Sequence, residues 1–68
     1  MSWESILGKN VRRLRKARGL TQEQLAEEAG MAMRYLSGVE RGEENPTLRF
    51  LVMIADALGV QPADLLKK

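Results

Sequence analysis

Apolar positions along the chain recur every three or four residues, the spacing of one face of an α-helix. Ile6 or Leu7, Val11 and Leu14, with Arg18 in the same register, predict a first helix over residues 4–18. Ser2 or Ser5 supplies its cap, and Gly19 stands where a left-handed residue would stop it. Thr21 is the natural N-cap of a second helix, with Gln24 three residues on completing a capping box. Leu25, Ala26 and Ala29 form its inner face, and Gly30 ends it. A third helix runs from about 32 to 41 and turns Leu36 and Val39 inward. Gly42-Glu43-Glu44-Asn45-Pro46 is a polar loop, with Asn45 pushed out of helical geometry by the following proline. Thr47 caps a fourth helix with an inner stripe of Leu48, Leu51, Ile54, Ala55 and Leu58, which Gly59 stops. Pro62 opens a short fifth helix ending in Leu65 and Leu66. No segment alternates as a strand, repeats, or reads as a linker, so the expectation is an all-α, five-helix domain.

Composition narrows the chemistry. The 68 residues suffice for one small domain, 1–68, with a small core. There is no Cys and no His, which removes disulfides, thiolate and imidazole metal ligands, and histidine acid–base catalysis. No apolar run approaches the roughly 18–20 residues of a membrane span, and the N-terminus lacks the basic and apolar regions of a signal peptide. The expected setting is cytoplasmic, without cofactor, metal, membrane or small-molecule ligand. Net charge is only +2 but unevenly spread. Residues 1–20 carry six Lys or Arg against one acid, and residues 21–45 carry two against six. A basic block suits either a polyanion partner or a solvated helix face.

The pair of helices over about 21–41 carries the functional signal. Small residues, Ala26 and Gly30, fall where two helices meeting at a steep angle must touch. The run Leu20-Thr21-Gln22-x-x-Leu25-Ala26-x-x-Ala29-Gly30, then Tyr35-Leu36-Ser37-x-Val39-Glu40-Arg41-Gly42, Pro46-Thr47-Leu48 and Ala55-x-x-Leu58-Gly59-Val60 resembles the phage repressor and Cro type of helix-turn-helix. The wider group is the xenobiotic-response-element family of regulators, which includes restriction–modification controller proteins. The resemblance covers about residues 6–66 and implies a compact phage-repressor-like DNA-binding domain whose second and third helices form the helix-turn-helix.

It also implies roles for particular residues. The third helix becomes the recognition helix, with Met33, Arg34, Ser37 and Gly38 at base-facing positions. Arg34 can donate two hydrogen bonds to guanine O6 and N7. Met33 departs from the polar residue common there, but its thioether can touch a thymine methyl. Gly38 offers no side chain, so DNA shape contributes to any specificity. Gln22, at the start of the second helix, is a phosphate candidate. Tyr35 either gives its hydroxyl to a phosphate or packs on the core. Arg41, Asn45 and Arg49 flank the loop after the recognition helix, a second place to grip the backbone. Glu43 and Glu44 repel phosphate there and are expected to turn outward. Arg15 and Glu40 are expected to form a structural ion pair from the first helix to the recognition helix.

Such domains bind two half-sites as two-fold dimers on double-stranded DNA. Phe50, Met53, Val60, Pro62 and Leu65 are the candidate homodimer surface, or equally ordinary core, and Trp3 either covers the core or joins a partner. The leading expectation is a sequence-specific transcriptional regulator that occupies a two-fold operator, and not an enzyme. The alternatives are a protein-interaction module on the same fold, or the DNA-binding fragment of a larger regulator.

Overall fold

Four α-helices and one 3₁₀ segment make up the computed structural model, which describes residues 1–68: α1 (Trp3–Ala17), α2 (Gln22–Ala29), α3 (Met33–Glu40), α4 (Leu48–Leu58) and the 3₁₀ segment Pro62–Leu66. Their starts follow capping chemistry. Ser2 Oγ accepts from the Ser5 N–H at 3.0 Å, and Thr47 Oγ1 accepts from the Phe50 N–H at 3.2 Å. At α2 the box is reciprocal: Thr21 Oγ1 accepts from Gln24 N–H at 3.0 Å, and Gln24 Oε1 accepts from Thr21 N–H at 2.9 Å. These bonds satisfy donors that the first helical turn leaves without partners. Only α3 starts without a side-chain cap.

All four α-helices end on a glycine with φ between +71° and +77°. The turn after α3 shows why. The Gly42 N–H donates to Val39 O at 3.0 Å and the Glu43 N–H to Gly38 O at 2.9 Å. This paired closure needs a left-handed residue, which glycine adopts without Cβ strain.

The core joins Leu7 and Val11 of α1, Leu25 and Ala26 of α2, Leu36 and Val39 of α3, Ile54, Ala55 and Leu58 of α4, and Leu65. Burying a large aliphatic side chain contributes about 1.5–3 kcal/mol, so six fully buried large side chains, Leu25, Leu36, Ile54, Leu65, Val11 and Val39, dominate stability. No helix is long and apolar enough to cross a membrane.

The expected fifth α-helix is corrected. Pro62–Leu66 is a 3₁₀ segment, opened by an Asp64 N–H to Gln61 O bond of 2.9 Å and by Asp64 Oδ2 accepting from the Gln61 N–H. The segment closes on an i→i−3 bond, and this tighter 3₁₀ turn suffices to drop Leu65 into the core. Asn10 on α1 secures this segment: its Nδ2 donates to Leu65 O at 2.9 Å and Lys67 O at 2.8 Å.

Candidate nucleic-acid interface

Three contacts fix α3 on the scaffold. First, α1 approaches it closely at Gly8: a Cβ there would stand 2.5 Å from Val39 O and 2.7 Å from Glu40 O. Only glycine lets the two backbones come this near. Second, Arg15 and Glu40 form a two-point pair, Nε to Oε2 at 2.6 Å and Nη2 to Oε1 at 3.0 Å, with side chains 9% and 2% exposed. Arg15 Nη1 also donates to Leu20 O at 2.8 Å, tying in the turn before α2. Third, Gln22 bridges α2 to α3, its Nε2 donating to Glu40 Oε1 at 3.0 Å and its Oε1 accepting from Ser37 Oγ at 2.7 Å. Burial pushes the Glu40 carboxyl up, but hydrogen bonds from Arg15 and Gln22 and the charges of Arg15 and Arg12 outweigh it, leaving the group below its ordinary value. No buried side-chain polar atom lacks a partner.

The outward face of α3 is different in kind. Met33 is 48% exposed, and Arg34 is exposed, with a guanidinium free of any hydrogen bond or ion pair within the chain. Ser37 sits half-buried behind them, its hydroxyl proton committed to Gln22. Gly38 is buried, and what covers it is Glu44: a Cβ at Gly38 would meet Glu44 Cγ and Oε2 at 2.9 Å. The expectation that Glu44 turns outward is therefore corrected. The glycine leaves room, and the closed turn at Gly42 carries the next residues back along α3.

The groups considered for phosphate are scattered in state. Tyr35 is half-buried, its ring edge-on to Phe50 with centroids 5.2 Å apart at 78°. Burial, with the negative charge of Glu44 nearby, raises its phenol. Arg41 pairs with Glu43 at 3.1 Å on the exposed surface. Asn45 is exposed, as is Arg49, which has no partner within the chain. Gln22 commits its Oε1 and one Nε2 proton internally, which leaves the second Nε2 proton and the backbone N–H at the start of α2 for a phosphate.

The helix-turn-helix family model matches residues 11–65, most of the chain. The chain belongs to the helix-turn-helix family. It is 43% identical over 68 residues to the control protein C.SmaI of Serratia marcescens, covering 100% of this chain and 81% of that one. Among solved structures it is similar to the restriction-modification controller protein C.AhdI from Aeromonas hydrophila, with a TM-score of 0.89, 40% identity, and coverage of 91% of this chain and 94% of that one. It is also similar to SinR, the master regulator for biofilm formation, solved in complex with DNA, with a TM-score of 0.85, 37% identity, and coverage of 90% and 98%.

In this helix-turn-helix chain the residues weighed as dimer surface or core are one buried and four half-buried. Leu65 is fully buried, which removes it from any interface, and Val60 packs against the same core. Phe50 leans on Tyr35. The Met53 methyl lies 3.8 Å from where a Cβ would sit on Gly30, against the turn of the helix-turn-helix. Pro62 is half-buried at the start of the 3₁₀ segment. Besides Met1 and Met33, the exposed large apolar residues are Trp3 (56%), Leu48 (72%), Val52 and Leu66. Leu48, Leu51 and Val52 share one side of α4, and Leu51 lines a groove with Trp3, Leu7, Pro46 and Leu66. Sequence reading missed this face because Leu48 and Leu51 fit the helical period that marks core. It also missed the Gln22 bridge and the Glu44 cover, which join residues with no local sequence signal.

Proposed function

We propose that this protein is a sequence-specific DNA-binding transcriptional regulator that sets α3 into the major groove. The observation carrying this reading is the contrast on α3: its inner side is bound to α1 and α2 by Arg15, Glu40 and Gln22, while Met33 and Arg34 stand exposed and unpartnered. A preorganised helix with unpartnered side chains, one a guanidinium and one apolar, suits base-edge readout. Similarity to SinR in complex with DNA supports it. In this reading Arg34 takes a guanine edge, Met33 an apolar base edge, and Ser37 backs them with its remaining acceptor capacity. Tyr35, Arg41, Asn45, Arg49 and the Gln22 N–H hold phosphates. The protein works in the cytoplasm with the DNA it occupies.

The test is selection from random duplexes, followed by titration of the selected site across salt. Enrichment of a short motif, with log K falling by about 0.9 per log salt for each phosphate neutralised, is expected. A flat salt response with no enriched motif overturns the reading.

We further propose that the operator is two-fold and occupied by a homodimer, through the face of Trp3, Leu48, Leu51, Val52 and Leu66. Trp3, Leu48, Val52 and Leu66 are exposed and Leu51 is half-buried among them, and such apolar surface is costly to leave in water. Sedimentation of the chain on a selected duplex should give two copies per site, and Val52→Lys should reduce this to one.

A further inference from the structure

The base-facing side of α3 has a gap at Gly38, and the fold fills it from outside the helix. Gly38 lies four residues after Arg34, so the two share one side of α3, with side-chain origins about 5–6 Å apart. The turn at Gly42 folds the chain back, with the Glu43 N–H bonded to Gly38 O at 2.9 Å, and this delivers the next side chain onto the glycine. Glu44 Cγ and Oε2 occupy the space that a residue-38 side chain would take. The neighbouring acid is used otherwise, since Glu43 is paired with Arg41. Glu44 has no ion pair and no hydrogen bond within the chain, although it is half-buried. The Glu44 carboxylate, with no partner within the chain, therefore lies over Gly38, one helical turn from Arg34.

We propose that Glu44 is a specificity-determining residue, its carboxylate accepting a hydrogen bond from the N4 amino group of a cytosine in the major groove. The proposal rests on the DNA-binding reading above. A carboxylate accepts only, and it repels phosphate, so the DNA groups that attract it are the exocyclic amines of cytosine and adenine. Beside the adenine N6 lies the N7 acceptor, which opposes a second negative group. The cytosine N4 has only a C–H beside it on its own base. The carboxylate therefore favours cytosine. The proximity of Glu44 to Tyr35, whose phenol is raised in part by its charge, agrees with a carboxylate turned toward α3.

The experiment is duplex selection with the full chain and with Glu44→Gln and Glu44→Ala, each first checked for an unchanged melting temperature. The parent is expected to enrich cytosine at one position of each half-site by roughly tenfold or more. Glu44→Ala should flatten that position to less than about threefold and leave the others intact. Glu44→Gln should move it to adenine, whose N6 and N7 match an amide's acceptor and donor. An enriched parent motif that both folded variants reproduce unchanged overturns the role of Glu44 while leaving DNA binding standing. Loss of the whole motif in folded Glu44→Gln also overturns it, since that marks a disturbed α3. Failure of the parent to enrich any motif overturns the DNA-binding reading, and this proposal with it.

Discussion

Removing the Glu40 carboxylate should take away a large part of the domain's stability. In Glu40→Ala the Arg15 guanidinium keeps one acceptor, Leu20 O, and loses its two bonds to Glu40, while Gln22 Nε2 loses its acceptor. Arg15 is only 8% exposed, so water replaces little of what is lost. Breaking one side of a buried pair costs about 3–5 kcal/mol. A chain of 68 residues has a total stability of roughly 3–10 kcal/mol at the usual 0.05–0.15 kcal/mol per residue. For domains of this size each kcal/mol moves Tm by about 4–8 °C, so the loss is at least about 12 °C. Thermal unfolding followed by circular dichroism reads it directly. The pH dependence gives a second readout. Burial raises the Glu40 carboxyl, but Arg15, Gln22 and Arg12 together bring it below its ordinary 4.5. Its contribution is therefore complete above pH 4.5 and is lost as the pH falls through the lower folded value. The parent should lose stability more steeply there than Glu40→Gln does. Arg15→Met with Glu40→Leu, which removes both charges together, should recover much of the loss. Glu40→Ala and Arg15→Ala both melting within about 2 °C of the parent would refute the reasoning.

Three further outcomes follow from the same geometry. Gly8→Ala should lower Tm although alanine favours helix by about 1 kcal/mol, because its methyl meets the Val39 and Glu40 carbonyls, backbone that cannot step aside; overpacking of this kind costs about 1–3 kcal/mol. Asn10→Ala leaves the Leu65 carbonyl without its donor and should cost about 1–3 kcal/mol, with faster amide hydrogen exchange confined first to residues 62–67. The single tyrosine should titrate above pH 10.0 by ultraviolet absorbance, and Glu44→Gln should bring it part of the way back, the remainder being the effect of burial.

Legibility in the sequence tracked interaction range. The Thr21 and Gln24 box, the Thr47 cap and the terminating glycines are signals contained within four or five residues, and each stands where the local chemistry put it. The 3₁₀ form of residues 62–66 is not legible, because a proline start and a pair of leucines fit an α-turn and a 3₁₀ turn equally. Apolar period leaves Leu65 open between core and interface in so short a segment, and the fold buries it fully. The Arg15 and Glu40 pairing, 25 residues apart, was accessible only through family resemblance. The Gln22 bridge, the Gly8 crossing and the Glu44 cover depend on how α1, α2 and the loop dock on α3. No period or cap encodes them.

The near absence of intramolecular bonds at Met33 and Arg34 has an evolutionary meaning. Both can be exchanged with little effect on folding, because the contacts that anchor α3 are made by Ser37, Val39 and Glu40 and not by these two side chains. In the proposed reading, substitutions at these two positions change the DNA sequence bound without first requiring compensating stability. Position 38 is constrained differently: any larger residue must displace Glu44, so a change there is coupled to a change in the loop, and the two sites are expected to vary together among descendants.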